Sequence, residues 1–480
     1  MEDPRSTNDF PVASAQLARN FSFVSMLGLA FAILNVRTHH NTPLYPQIND
    51  SSMAQSWTAL ASSLPLSLAS GGPTSIVWGL LAAGCCTLCV SLSLAEFLSA
   101  YPNSAGQYYW VAVSRSEHAA ALSWFTAWFN VAGWVCLSAT ASLFGSSLIM
   151  NIAMFNNRDY TLQSWHMFLV YICFCLVAFL TNAFLNAILA TLNKIALTWS
   201  ICGFAAISIT VLSCASPNYN SPSFVFTGFV NETGWPDGIA WLLGLLQGGL
   251  KDAVAHMIEE IPSPAIHGPR VMIACVATGI ITGFVLIIIL LFVSDDISTV
   301  IASVYGPLLQ ILFAATRNKA GAICLLLYLN SQPYLNPRAT RMSSDLRNRD
   351  SGLPFHRLAF NALSSATVVC FDISYGLPIL IHCLRGRKQL PSRPFALHPL
   401  LGWFVNLVSA PGVDILFLTD QYLNLGTDVW KDYAAAAVGI VLLVSTLSWL
   451  LQGRKTFSGR TVVAGIESTP VAVALSVQKD

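Results

Sequence analysis

Apolar runs of about twenty residues recur along this chain, parted by short polar stretches, and that rhythm predicts membrane-crossing helices. The first run, residues 21–35, is too short to cross a bilayer alone. A polar stretch at 36–55 interrupts it before 56–70 resume the pattern. Gly71, Gly72 and Pro73 then turn the chain. Further spans are expected at about 74–94, 119–149, 165–184, 195–214, 238–261 and 271–293, with loops at 100–118 and 215–237. Beyond them lie two short apolar pieces, 308–315 and 320–329, split by Arg317, Asn318 and Lys319, and then an Arg-rich polar stretch. One good span follows at 358–384, a poor one at 400–418 broken by Pro411 and Asp414, and a last good one at 434–451.

The span at 238–261 departs most from a plain apolar helix. Its stretch 244–260 reads GLLQGGLKDAVAHMIEE, with Gly248 and Gly249 just before Lys251 and Asp252. Charges at that depth are costly and survive where they face a cavity, a partner or a substrate. Paired glycines make local unwinding cheap, and unwound backbone at membrane depth must line a cavity. Broken helices of this kind build the binding sites of many secondary transporters. The plainer alternative is an ordinary span whose Lys251 and Asp252 pair with each other or with a neighbour.

Composition agrees with a polytopic membrane protein. Of 480 residues, 54% are hydrophobic and only 10% charged, against about 25% charged in soluble domains, and mean hydropathy is +0.60. The net charge of +1 and the lack of a basic patch give no sign of a nucleic-acid partner. Twelve scattered cysteines read as buried free thiols. The polar N-terminus lacks the pattern of a cleaved signal peptide. No His/Cys/Asp cluster has metal-site spacing, no Walker-type loop is present, and no catalytic groups converge at one depth. The sequence therefore predicts a non-enzyme without a cofactor or metal, and no obligate protein partner is evident.

Basic loops set the orientation. Arg385, Arg387, Lys388 and Arg393 place their loop in the cytoplasm, as Arg454 and Lys455 do for the end of the last span. Counting back, the N-terminus falls inside and the loop with the glycosylation sequon at Asn231 outside.

The segments LGLAFAILN, SWTALASSL, SGGPTSIVWGLLAAG, SLAEFLSAYPNSAGQYYW, TLNKIAL, DAVAHMIEEIPSP and LRGRK together resemble fungal permeases of the amino acid–polyamine–organocation superfamily. The branch that contains choline and γ-aminobutyrate permeases is the most similar. The resemblance runs through most of residues 21–300 and returns at 358–455. It implies an all-α fold of five-plus-five inverted repeats with extra C-terminal spans, and a plasma-membrane location. Its substrate would be a small amino acid, γ-aminobutyrate or a choline-like cation, moved with protons. The chain then divides into a cytoplasmic tail (1–20), a permease domain (21–455) and a C-terminal tail (456–480).

Carried over by position, the resemblance places Gly28, Leu29 and Ala30 in the break of span 1, and Gly248, Gly249 and Asp252 in that of span 6. Asp252 would either hold an amine or cap unwound backbone. Lys251 would either neutralise it or snorkel. Lys194, at the cytoplasmic start of span 5, is a candidate for ion coupling or an interfacial anchor. Trp57 and Trp134 could wall an ammonium or simply pack. His256, Glu259 and Glu260 would sit near the cytoplasmic mouth.

Two segments depart from the family pattern. Residues 36–55 begin with Val36 and end with Gln55, whose codons suit the borders of an in-frame intron, and removing them rejoins AILN to SWTAL. In the degraded region 316–357, Arg338, Arg341, Arg347, Arg349 and Arg357 make one flank of span 358–384 as basic as the other. A single crossing cannot leave both flanks in the cytoplasm. About one span of the second repeat therefore reads as missing, and the alternative to a working transporter is a sensor-like or defective homologue.

Overall fold

The computed structural model describes Leu68 and residues 71–244, 264–334, 355–409 and 433–457, apart from 104, 115–117, 158, 161, 185, 233–235, 302, 304 and 389. Among the described residues, five helices are long and apolar enough to cross a membrane. The helices are α1 (Gly72–Ala100), α2 (Gln107–Ala112), α3 (Ala119–Asn156), α4 (Ser164–Phe184), α5 (Asn186–Ala215), α6 (Pro222–Thr227) and α7 (Asp237–Gly244). After these come α8 (Pro264–Val293), α9 (Ile297–Ile301), α10 (Pro307–Thr316), α11 (Lys319–Tyr334), α12 (Phe355–Leu384), α13 (Pro399–Val408) and α14 (Tyr433–Ser448).

Helix α1 starts where the sequence places a turn. Gly71 and Gly72 have φ of 93° and 65°, backbone that suits glycine alone. A Cβ on Gly72 would stand 2.8 Å from the Val230 nitrogen. Bonds from Gly71 N to Val230 O (2.7 Å) and from Thr74 N to Gly228 O (3.1 Å) fix this end of α1 to the loop that carries Asn231. Asn220 closes the same layer, its amide donating to Leu291 O (2.9 Å) and Ser294 O (2.7 Å) at the end of α8.

Two long pairs make the frame: α1 lies along α8, and α3 lies antiparallel along α12. Ile76, Val77 and Leu80 meet Leu286, Ile287 and Leu290 of α8, Ile207 and Val211 of α5, and Leu308–Leu312 of α10 in one core. Leu94 and Leu98 join Val271, Met272, Phe371 and Ile379 in a second core toward the other end. Lipid offers apolar groups as good a home as protein does, so close packing carries these contacts. Gly133 shows how tight it is, since a Cβ there would stand 2.9 Å from ring carbons of Phe371. The outward faces are left apolar for lipid, as at Phe168, Leu169, Ile172 and Leu176 of α4.

The far end of α1 is tied by charge. Glu96, 1% exposed, accepts from Arg387 at 2.7 Å and from Arg393 at 2.6 Å, and from Leu397 N at 2.9 Å. Arg387 also donates to Gly402 O of α13. One turn on, Ser99 Oγ donates to Ala265 O of α8 (2.8 Å) and accepts from Phe395 N (3.0 Å). Trp124 Nε1, on the first turns of α3, reaches Ser445 O and Ser448 Oγ, both at 3.3 Å, and so brings the end of α14 to this layer. The loop of Arg385–Arg393 and the end at Arg454 and Lys455 thus share one end of the bundle, opposite Asn231. The positive-inside rule leads to the expectation that this end lies in the cytoplasm.

Four expectations change. The loop at 100–118 contains helix α2, which is largely buried. The short apolar piece at 308–315 is helix α10, buried at the outer end, and the piece at 320–329 lengthens to the 16 residues of α11. Helix α10 stops at Arg317 (φ 49°), whose N bonds Phe313 O at 2.7 Å. Asn318 Oδ1 then caps α11 by accepting from Ala320 N at 2.9 Å. Lys319 lies 5.5 Å over the Phe155 ring near the outer end of α3. From there α11 runs inward to stack Tyr328 on Trp199 of α5 at 4.5 Å. Third, Lys194 is the ninth residue of α5, because the helix begins at Asn186. Fourth, the cysteines are free, but only Cys275 and Cys370 are buried. Cys85, Cys173, Cys202, Cys214 and Cys324 lie on outward faces, where the bilayer supplies the apolar surroundings.

Two measurements test this frame. Glu96→Gln leaves two nearly buried guanidinium groups without their counter-charge and should lower stability by about 3 kcal/mol, read as an earlier thermal melt of the purified protein. Gly133→Ala should cost about 1–3 kcal/mol through overpacking against Phe371, with the melt again shifted down.

Candidate functional site: a buried polar seam

Helix α3 carries no charged residue, yet polar or amphipathic side chains recur on it every fourth position: Thr126, Asn130, Trp134, Ser138, Ser142 and Ser146. That spacing keeps them on one slowly turning face, and all six are buried. The hydroxyls bond back within the helix. Thr126 Oγ1 donates to Leu122 O at 2.8 Å, Ser138 to Trp134 O at 2.8 Å, Ser142 to Ser138 O at 3.1 Å and Ser146 to Ser142 O at 2.7 Å. Satisfied locally, they present a narrow surface for close helix packing.

Asn130 does something else. Its amide donates to Gln107 Oε1 of α2 at 2.9 Å and to Ser374 Oγ of α12 at 3.3 Å, so one side chain links three helices. Gln107 is fully buried, and among the described residues its Nε2 has no acceptor. A buried donor left unmet costs about 1–3 kcal/mol. One turn outward along α3, Trp134 meets Phe371 edge-on at 4.9 Å, and Phe371 stacks on Tyr375 at 5.5 Å. Asp372, 5% exposed, stands between Phe371 and Ser374 in the chain.

Most of the expected site residues lie outside the described residues: Gly28, Leu29, Ala30, Gly248, Gly249 and Asp252, and with them Trp57, Lys251, His256, Glu259 and Glu260. The helix position of Lys194 is described; its side chain is not. Asn231 is half-buried and donates to Asp237 Oδ1 at 3.0 Å. Trp134 is 4% exposed and its ring packs on Phe371. Among the described residues no cluster of three His, Cys, Asp or Glu side chains could hold a metal. The sequence reading passed over Gln107, Asn130, Asp372 and Ser374. Asn130 and Asp372 carried a signal, each being an isolated strongly polar residue inside an apolar run.

The chain matches the family model described as amino acid permease over residues 51–332. A putative amino acid/polyamine transporter of Macrophomina phaseolina is 32% identical over 69% of this chain and 83% of its own length. The choline transporter of Saccharomyces cerevisiae is 27% identical over 92% of this chain and 83% of its own. A manganese transporter from Eremococcus coleocola, solved by crystallography, aligns with 91% of this chain and 95% of its own at 11% identity. The TM-score of that alignment is 0.47. A family match over more than half the chain and a relative of this identity and coverage agree: the chain belongs to the amino acid permease family, a multi-pass transporter of the amino acid–polyamine–organocation superfamily.

Proposed function

We propose that this permease is a secondary active transporter that uses a proton gradient to take up a small amino acid, γ-aminobutyrate or a choline-like organic cation across the plasma membrane. The observation that carries the reading is the order Gly248, Gly249, Lys251, Asp252 inside a span of a chain that belongs to this family. The similarity to a choline transporter supports a cationic nitrogen in the substrate. On this reading the fold is a five-plus-five inverted repeat, and substrate lies between the breaks at Gly28, Leu29 and Ala30 and at Gly248 and Gly249. The carboxylate of Asp252 holds the substrate amine, and Lys194 couples its binding to protons by moving between spans 1, 5 and 8. Expressed in a permease-deficient yeast, the protein should accumulate labelled choline, γ-aminobutyrate or an amino acid more strongly at acid external pH. Asp252→Asn should abolish uptake at least tenfold, and Lys194→Ala should flatten its pH dependence. Uptake in the parent that ignores pH and a protonophore counts against proton coupling.

A second reading, a defective or sensor-like homologue, is favoured by one feature of the fold. Helix α11 runs inward from Lys319, and α12 ends at the cytoplasmic clamp of Glu96. Residues 335–354, with four arginines and two aspartates, therefore have to connect an inward-running helix to the outer end of α12. A full apolar span would be expected there, in keeping with a lost span 9. Sequencing the mature transcript decides between the readings. A message that lacks codons 36–55, or carries a further apolar span before Phe355, marks this chain as a mis-assembled form of a working permease.

A further inference from the structure

We propose that His382 is a pH-sensitive release for the Glu96 clamp: a proton taken up by its ring loosens the hold of Arg387 and Arg393 on the end of α1. The inference needs neither the coupling ion nor the substrate of the reading above. His382 lies on the last turn of α12, two residues before the exposed Leu384, and is itself wholly buried. Its ring meets Phe97 of α1 edge-on at 5.3 Å, and Phe97 stacks on Trp110 of α2 at 5.5 Å. Phe97 follows Glu96 in the chain, so the imidazole is seated against the stretch of α1 that the clamp holds.

Neutral imidazole carries one N–H donor and one bare acceptor nitrogen. Among the described residues neither Nδ1 nor Nε2 of His382 has a hydrogen-bond partner, so no bond has to break when the bare nitrogen takes a proton from water and the ring becomes imidazolium. Both guanidinium groups and the carboxylate of the clamp act on the ring electrostatically. One carboxylate against two guanidinium groups already leaves the clamp with a net charge of plus one, and a protonated His382 makes it plus two. Shielded from water and salt, such repulsion is only weakly screened. The cluster relieves it by letting an arginine swing out to solvent. Arg393 is the one placed to leave, being 12% exposed against 8% for Arg387, which is also held by Gly402 O.

The other titratable groups around α12 do not share this position. On α12 itself are Cys370, Asp372, Tyr375 and Cys383, with His356 and Arg357 at its far end. Helix α1 contributes Glu96 and three thiols, α2 Tyr108 and Tyr109, and α3 the thiol of Cys136 alone. Helix α8 brings His267, Arg270 and Cys275, α4 His166, Tyr171 and two thiols, and α13 none. Helix α14 offers Tyr433, with Arg454 and Lys455 beyond it, and the loop between α12 and α13 adds Arg385, Lys388 and the exposed His398. Among the described residues, the charges that act on the His382 ring are those of Arg387, Glu96 and Arg393.

The test reads the clamp itself, in the full chain purified into lipid nanodiscs. Hydrogen exchange followed by mass spectrometry reports on the segment 387–397, whose Phe395 and Leu397 amides donate to Ser99 Oγ and to Glu96. After correction for the intrinsic pH dependence of exchange, their protection in the parent should fall about fivefold or more between about pH 7.5 and 5.5. His382→Phe keeps a ring against Phe97 but cannot charge, and its protection should change by less than about twofold over that range. His382→Gln, also neutral, makes the same comparison if the His382→Phe chain does not fold. Any loss of protection that acts through Glu96, His267 or His398 persists in both variants, so the difference from the parent belongs to His382. A parent whose protection is flat with pH, or neutral variants that lose it as the parent does, overturn the proposal.

Discussion

One buried carboxylate organises the cytoplasmic end of this permease. Glu96 gathers two guanidinium groups and a backbone amide, and those partners come from the segment between α12 and α13. Such a cluster holds only as a set, since removing any one charge strands the others away from water. Because α1 also lies along α8, and α12 along α3, the clamp connects the two long helix pairs at one level. The outer end has no such charge cluster among its described bonds. There, backbone and amide contacts at Gly71, Thr74 and Asn220 do the joining.

The same rule governs the polar groups deeper in the bundle. A hydroxyl in an apolar helix can be satisfied by its own backbone, and Ser138, Ser142 and Ser146 take that route. An amide group has too many donors and acceptors for it, so Asn130 and Gln107 meet across helices. Polar groups that cannot be satisfied within one helix collect where α2, α3 and α12 touch.

Much of the helical layout was legible in the sequence, because a span is a property of one continuous run. Helices α1, α3, α4, α8 and α12 fall where their apolar stretches predict, with ends extended by a few residues. The sequence also placed Arg385 to Arg393 and Asn231 on opposite sides, and they do lie at opposite ends of the bundle. What stayed hidden depends on distant partners. Nothing near Glu96 in the chain announces Arg387, 291 residues away. Helix α10 has the composition of half a span, and only its burial against α5 and α8 makes it part of the outer cap. The thiols were misjudged because an apolar run gives no indication of which side faces protein and which faces lipid.

The four-residue rhythm on α3 has a mechanical meaning. Ser138, Ser142 and Ser146 each donate to their own helix, so that face meets its neighbours chiefly by shape. Asn130 is the exception on that face, joining both α2 and α12 to α3, while Ser123, off the face, adds a bond to Tyr108 O of α2 at 2.8 Å. A change at Asn130 alone therefore reaches two neighbouring helices at once.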